Sequence, residues 1–505
     1  MNIVDRFLNS ITMYCLVLYG LTVLSMIAIV FGLIHWLPYG GVQLAATGAI
    51  LFVTCWLANT FFSKLFHAAT NTESFYITAL ILFFILAPIT NLTDVWVTIA
   101  AGVIAMASKY LLAIDKKHIF NPAAIAVFLI GLFGFGNAIW WAGSAELLFV
   151  FTILGLLVVR KLRRFYLLFA FLVTAVITIC LVNLGNGLAI QDSFVQAFIS
   201  WPLIFFGTIM LTEPETTPPR KKLYIIYGAL VGIVFGLQFH IGPLYASPAF
   251  ALVVGNLFSY IVSPKKKLLL HLKEMKQLSP TLYEFIFRKN TSFAFLPGQY
   301  LEWTLPHTGV DLRGNRRYFT IASSPTEADI KLGVKIDPDH SSSFKKALLA
   351  LKPEGKMIGA QLSGDFVLPK DEKQKLVFIA GGIGITPFRS IIQSFLDSGK
   401  GRDVVLFYAC TQADEFIYKD IFARAAEQFG LKVVYVLTHP ENAPKDWQGE
   451  CGRLTPEVVQ KYVPDVKERR YYLSGPNTMV EAYKQLLIHM GVSRSQIVTD
   501  YFPGY

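Results

Sequence analysis

Arg317-Tyr318-Phe319-Thr320 puts a cation, two aromatic rings and a hydroxyl within four residues. A guanidinium pairs with a pyrophosphate through its planar fork. On a strand, Phe319 shares the face of Arg317 and can pack on a flat ring, with the Thr320 hydroxyl next to it as a donor. That set suits FAD; an ordinary barrel strand is the other reading of these residues alone. A second cluster, Gly381-Gly382-Ile383-Gly384-Ile385-Thr386-Pro387, follows an apolar run and opens a helix. Glycines let backbone approach a pyrophosphate, and a helix N-terminus favours its charge. This suits a pyrophosphate-bearing ligand, although any tight strand-to-helix turn uses glycine.

Both clusters need elements to hold them. From Leu268, short β-rich runs (268–274, 281–288, 299–304, 318–322 and 330–336) predict a small antiparallel β-barrel. From Lys375, strands at 376–380, 404–408, 432–437 and 470–473 alternate with helices at 387–396, 417–428, 455–462 and 478–490. That order predicts a parallel α/β domain with a ligand crevice at the strand ends.

Upstream, the composition is of another kind. The 505 residues are 54% hydrophobic, too apolar for an ordinary soluble chain. Residues 1–262 hold twelve Lys or Arg and eight acids, against 33 and 26 in 263–505. The break at Ser263-Pro264-Lys265-Lys266-Lys267 predicts domains at 1–262 (membrane), 263–370 (FAD) and 371–505 (NAD(P)). A span needs roughly 20 apolar residues. Ten are expected, near 11–34, 42–62, 74–90, 92–108, 119–135, 140–159, 165–184, 193–212, 223–239 and 244–262. All twelve basic residues then lie on one face, which puts both termini and the reductase module in the cytoplasm. Trp36, Trp140 and Trp141 fall at the outer ends, where interfacial aromatics gather. The net charge of +11 therefore follows topology, and nucleic acid is not an expected partner.

An offset of 126 aligns Pro88 with Pro214, Thr90 with Thr216, Gly102 with Gly228, Pro122 with Pro248, Ala123 with Ala249 and Val127 with Val253. Five spans per repeat is an odd number, so the halves would be inverted. Inverted repeats build midplane sites from broken helices. Prolines also mark helix ends in general, which is the plainer reading.

Five scattered cysteines with no CxxC predict no iron–sulfur cluster, metal site or disulfide framework. His35, His67, His118 and His240 lie at span ends or in loops, which argues against transmembrane haem.

Lys117-His118-Ile119-Phe120-Asn121-Pro122-Ala123 and Leu211-Thr212-Glu213-Pro214-Glu215-Thr216-Thr217-Pro218-Pro219, continued by Ile226-Tyr227-Gly228-Ala229-Leu230-Val231-Gly232, resemble signature segments of one membrane-subunit family. It comprises the B subunit of the sodium-pumping NADH:quinone reductase and the D subunit of the related Rnf complex. The resemblance implies ten helices in two inverted halves, a flavin between them and redox-linked sodium or proton movement. Family members often carry FMN on a threonine in a Ser/Thr-Gly-Ala-Thr motif. Thr47-Gly48-Ala49-Ile50 lacks the acceptor, so a noncovalent FMN or riboflavin is the expectation. Candidate membrane-site residues are Asn121, Pro122, Glu213, Pro214 and Thr216, as ion or flavin contacts or as a cap and a solvated loop. Glu146, about two turns inside the sixth span, is an ion-ligand candidate or an interfacial acid.

The second half resembles the ferredoxin–NADP reductase family. Arg317, Phe319 and Thr320 fit its Arg-x-aromatic-Ser/Thr flavin motif, with Tyr318 between and phenylalanine where tyrosine is usual. Ser341-Ser342-Ser343-Phe344 resembles the turn that holds the FAD pyrophosphate, through Ser342 and Ser343. Gly381, Gly382, Gly384, Thr386 and Pro387 fit the pyridine-nucleotide motif. Ser474-Gly475-Pro476-Asn477-Thr478-Met479 fits the Cys-Gly-Pro segment near the nicotinamide, with serine for cysteine. Asp500-Tyr501-Phe502-Pro503-Gly504-Tyr505 resembles the aromatic tail over the flavin, with Phe502 or Tyr505 as the covering ring. The resemblance implies that Thr320, Thr386 and Ser474 align the nicotinamide with the flavin. Cys410-Thr411-Gln412-Ala413 offers no base for a 2′-phosphate and favours NADH, while Lys419 and Arg424 keep NADPH open.

The expected protein is a multi-pass flavoprotein, fitting a bacterial inner membrane. It would pass electrons from NAD(P)H through FAD to a membrane flavin, a quinone or a partner redox subunit, with or without ion movement. A transporter or channel regulated by the reductase module is the alternative. Ten spans are excessive for a mere anchor.

Overall fold

The computed structural model describes residues 3–66, 72–114, 117–136, 138–263, 267–289, 293–311, 313–337, 339 and 341–501. They form two compact units divided between Lys266 and Lys267.

The first unit is helical. After α1 (Ile3–Ser10) come α2 (Met13–Leu33), α3 (Gly41–Leu65), α4 (Thr72–Ile85), α5 (Leu92–Leu111), the strand pair β1 (Ala113–Ile114) and β2 (Lys117–His118), and α6 (Pro122–Leu132). Then follow α7 (Ala145–Leu162), α8 (Phe165–Gly185), α9 (Ile190–Ile199), α10 (Leu203–Phe205), α11 (Lys221–Gly236), the pair β3 (His240–Ile241) and β4 (Leu244–Tyr245), and α12 (Pro248–Val262). Starts are set locally. The Thr12 hydroxyl caps α2, Asn91 with Asp94 boxes α5, and Asn121-Pro122 and Ser247-Pro248 open α6 and α12. Between α9 and α10 the path bends by 60°, and Pro202, which lacks an N–H, sits at the break. A π-helical turn, Phe206–Met210, follows. α3 packs on α5 and α8 on α11, while α6 meets α12 and α2 meets α7.

Among the described residues, four helices (α2, α3, α5 and α8) are long and apolar enough to cross a bilayer, and five if the bent pair counts as one span. Val23, Met26, Val30 and Leu33 on α2 and Trp56, Leu57 and Phe61 on α3 are exposed, as lipid-facing side chains are. The expected spans at 119–135 and 244–262 contain the shorter helices α6 and α12. Eleven residues rise only about 16 Å, roughly half a bilayer core. The sixth expected span starts later than read: Trp141–Gly143 is a 3₁₀ turn, and α7 begins at Ala145. Glu146 therefore sits in the first turn of α7, exposed, where an acid suits the helix dipole, and not two turns deep. Trp140 and Trp141 are buried, the latter donating its indole N–H to the Phe83 carbonyl at 2.8 Å, so they are core and not interfacial anchors.

The second unit carries two sheets. β5 (Leu268–Gln277), β6 (Leu282–Lys289), β7 (Tyr300–Thr304), β8 (Arg316–Thr320), β9 (Asp329–Lys335) and β10 (Lys356–Ser363) form an antiparallel sheet ordered β8-β7-β10-β5-β6-β9. Its ends meet where the Ala322 N–H donates to the Lys331 carbonyl at 2.8 Å. The short α13 (Ser343–Leu349) lies between β9 and β10 in the chain. β10 has no counterpart among the expected strands: Gly359 interrupts its apolar alternation, and its register shifts between Ala360 and Ser363, around Gln361 at φ 50°. The second sheet is parallel, with β11 (Leu376–Gly381), β12 (Val404–Cys410), β13 (Lys432–Leu437), β14 (Glu450–Cys451), β15 (Arg470–Gly475) and β16 (Ile497–Tyr501) ordered β14-β13-β12-β11-β15-β16. Helices α14 (Thr386–Ser398), α15 (Lys419–Phe429), α16 (Pro456–Tyr462) and α17 (Asn477–His489) connect its strands. β11 and β12 are buried along their whole length, which explains their unbroken apolar runs.

Candidate flavin and nicotinamide site

The pleat of β8 sorts its side chains. Arg317 and Phe319 share one face and both reach Phe344: the guanidinium lies 5.1 Å from the ring centroid and the two phenylalanine rings are 6.0 Å apart. Arg317 is 6% exposed, and its Nη1 donates to the carbonyls of Arg313, Gly314 and Arg316. Tyr318 takes the other face, half exposed, with its hydroxyl donating to Glu302 at 2.7 Å. Thr320 is buried, and its hydroxyl meets no hydrogen-bond partner among the described residues.

Ser342 caps α13 by accepting from the Lys345 N–H. Ser343 is tied to Asp311: its N–H donates to the carboxylate at 2.9 Å, its hydroxyl accepts from the Asp311 N–H at 3.0 Å, and His307 contacts that hydroxyl at 3.1 Å. Four residues that no motif pointed to thus complete the cluster: His307, Asp311, Arg313 and Lys345. Burial, then the positive charges of Arg317 and Arg313, push the Lys345 ammonium down to about 8. An anion placed here raises it again. The bound state then keeps its proton over a wider pH range than the free state. FAD affinity is accordingly expected to be full below about pH 8 and to weaken as pH rises above it. Lys345→Met should flatten that dependence in a fluorescence titration of FAD release.

The glycine turn divides its labour. A Cβ on Gly384 would lie 2.3 Å from the Ser474 carbonyl oxygen, and one on Gly381 would lie 2.3 Å from Met479 Sδ. Both glycines serve close packing against β15 and α17. Gly382, at φ +52°, faces open space and is the turn residue a ligand can approach. Thr386 is buried, its hydroxyl donates to the Ile383 carbonyl at 3.2 Å, and Pro387 follows in the first turn of α14. β15 delivers Ser474 and Gly475 directly beside this turn, with Pro476 next in the chain. The Ser474 hydroxyl is fully buried and, like that of Thr320, meets no partner among the described residues.

The expected tail is in part a strand: Asp500 and Tyr501 belong to β16 and pair with Ser474 and Gly475. The β-branched run Ile497-Val498-Thr499 is the signal that foretells the strand. Phe502 and Tyr505 lie outside the described residues. Lys419 sits over the Phe416 and Tyr435 rings and Arg424 donates to Gln393, so both bases have protein contacts.

Strand order supplies the site. The chain leaves β11 for β12 on one side and returns as β15 on the other, so the sheet switches direction between β11 and β15. Open α/β sheets bind ligands at such a point. Gly381–Thr386 and Ser474–Pro476 are the segments found there. Residues 378–485 match the oxidoreductase NAD-binding domain. NADH-cytochrome b5 reductase 1 of Emericella nidulans is 30% identical over 239 residues, 45% of this chain and 76% of that protein. Through its C-terminal half, the chain belongs to the ferredoxin–NADP reductase family. It is an NAD(P)H-dependent, FAD-containing oxidoreductase. Similar to this ferredoxin–NADP reductase half are also the phenol hydroxylase P5 protein of Acinetobacter pittii, 27% identical over 45% of this chain and 64% of that one, and the solved Amycolatopsis cytochrome P450 reductase GcoB, 24% identical with a TM-score of 0.42 over 47% of this chain and 70% of that chain.

The residues present fit FAD and a nicotinamide. Arg317, Arg313 and Lys345 make a cationic cluster, and two buried hydroxyls have donor capacity left unused among the described residues.

The helical unit brings five of its six candidates together. Asn121 donates from its side chain to Glu213 at 2.8 Å and from its backbone to Asn256 at 2.7 Å. Thr216 donates to Glu213 at 3.2 Å, and Pro122 and Pro214 open the adjoining helical turns. Asn256 in turn donates to Tyr227, and Glu215 pairs with His118 at 3.1 Å. No contact joins Glu146 to this cluster among the described residues. Thr47 has its hydroxyl engaged within the fold, donating to Gln43 and accepting from the Ile89 N–H.

Proposed function

We propose that this chain is a membrane flavoprotein that passes electrons from NADH through FAD to a noncovalent flavin or a quinone held by its helical half, with sodium or proton movement coupled to that transfer. Arg317, Arg313, Ser342, Ser343 and Lys345 would hold the FAD pyrophosphate. Thr320, Thr386 and Ser474 would orient the two rings, Gly382 and the start of α14 would receive the nucleotide pyrophosphate, and Phe502 or Tyr505 would cover the flavin. FAD supplies the exchange between hydride and single-electron chemistry. No base follows Cys410 at the end of β12, which favours NADH over NADPH.

The observation that carries the membrane part is the element order of the helical unit. Helix, strand pair and proline-initiated helix occur twice, at 92–132 and 221–262, with α6 packed on α12 and Asn121 bonded to Asn256 between them. This supports two inverted halves of five segments each. Both termini and the reductase module would face the cytoplasm, in keeping with a bacterial inner membrane.

Acid release of flavin from the purified protein is expected to yield one FAD and one further noncovalent FMN or riboflavin per chain. FAD alone would shift weight to direct quinone reduction or to a transporter regulated by the reductase module.

A further inference from the structure

We infer that Arg389 and Ser390 are positioning residues that hold the flavin strand and the nicotinamide helix at a set separation. They lie one turn past Thr386 on α14, and their partners lie two to seven residues past Thr320. Arg389 Nη1 donates to the Ala322 carbonyl at 3.1 Å, and the Ser390 hydroxyl donates to the Ser323 carbonyl at 2.6 Å. The Arg389 guanidinium also grips Glu327 with both nitrogens, Nη2 at 2.9 Å from Oε1 and Nη1 on Oε2. Glu327 in turn accepts from the Ser324 N–H at 2.6 Å and pairs with Lys331 at 2.9 Å, which stiffens the turn between β8 and β9. Arg389 and Ser390 are 3% and 0% exposed, so these bonds form out of water, where a planar fork gives strong orientation.

A second set of contacts braces the same side. The Arg389 guanidinium lies 5.7 Å from the Tyr418 ring centroid, and the Tyr418 hydroxyl donates to Glu284 on β6 at 2.9 Å. Gly333 on β9 faces the Thr386 methyl so closely that a Cβ there would be 2.7 Å away. Burial works to raise the Glu327 carboxyl, but the Arg389 hydrogen bonds and charge outweigh it and hold it at about 2. The grip therefore stays intact above the ordinary carboxylate range and loosens only as pH falls through about 2. These groups are positioning residues, not catalytic ones. Their effect is on the distance between Thr320 and Thr386, and it rests on those threonines flanking the two rings.

The test uses the full-length, FAD-loaded protein in detergent, with flavin reduction by NADH followed in stopped flow. Arg389→Lys and Ser390→Ala are expected to lower the limiting reduction rate per bound FAD roughly 10- to 100-fold, with the NADH dissociation constant within about threefold of wild type. They should also enlarge the isotope effect with 4-deuterated NADH and speed hydrogen exchange in residues 321–327. Ser390→Ala loses a single hydrogen bond and keeps the test open if Arg389→Lys does not fold. An unchanged rate and isotope effect in a folded variant overturns the inference, as does a rate loss matched by weaker NADH binding. Thr320→Ala and Thr386→Ala run alongside. If they slow reduction while the other two do not, only the positioning role fails; if they too are silent, the assignment of the ring site fails.

Discussion

An Arg317→Leu protein is expected to purify nearly free of FAD, with less than about a tenth of the wild-type FAD per chain. Charge-assisted hydrogen bonds contribute roughly 1.5–3 kcal/mol each, so losing one or two to a pyrophosphate weakens binding roughly 10- to 10⁴-fold. No neighbour replaces this cation. Lys345, shifted down to about 8, is still a cation at pH 7 but is a single-point charge without a planar fork, and Arg313 lies two residues short of β8. The substitution also leaves three backbone carbonyls without their shared donor, so loss of flavin must be separated from loss of fold. Arg317→Lys does that, since it retains charge and discards the fork. FAD per chain, identified by chromatography after acid release, is the measurement, read beside the unfolding temperature. Stoichiometric FAD in the leucine variant would remove Arg317 from the site.

Gly384→Ala is expected to disable the other half and leave the first intact. Its methyl would fall 2.3 Å from the Ser474 carbonyl oxygen, 2.6 Å from its carbonyl carbon and 2.7 Å from Gly475 Cα. These atoms are backbone of β15, which is hydrogen-bonded to β11 on one side and β16 on the other, so they cannot step aside. Relief must come from moving the glycine turn or the strand. Either shift displaces Thr386 from Ser474, and misplacement by about 1 Å can cost roughly 10²-fold in rate. NADH-driven flavin reduction should fall by at least that factor. FAD content and reduction by dithionite should stay at wild-type levels, because the flavin cluster is built on the antiparallel sheet. Gly382→Ala is the contrasting case: it meets no neighbour within 4 Å and incurs only a left-handed backbone penalty of about 1–2 kcal/mol. Wild-type NADH turnover in Gly384→Ala would show that the turn does not hold the nucleotide.

The parts of the site that were legible share one property: their chemistry is contiguous in the chain. Gly381–Pro387 is a turn whose sterics are local, and Arg317–Thr320 is one strand with alternating faces. His307, Asp311, Arg313 and Lys345 were not legible, because they meet through a turn and a helix start about 30 residues apart. Arg389 and Glu327 are 62 residues apart and carry no motif at either end. In the helical half, apolar runs marked where helices lie. They did not mark where α6 and α12 begin, because Asn121 and Ser247 cap helices inside stretches that hydropathy reads as continuous. Glu146 was misplaced for the same reason.

Residue order alone determined what depends on neighbours a few positions away. That includes the apolar first half and charged second half, most strands of the second half and the two glycine- and arginine-centred motifs. Sterics, hydropathy and strand alternation act over a handful of residues, so they are readable without a fold. Only the tertiary structure decided that β15 lies beside β11 and that β16 lies beyond it, which brings Ser474 to the glycine turn and Asp500 to Ser474. It also decided that Arg389 reaches the turn after β8. Strand order and lobe contacts come from burying every apolar face of the unit at once, a competition among segments far apart in the chain that no short window contains.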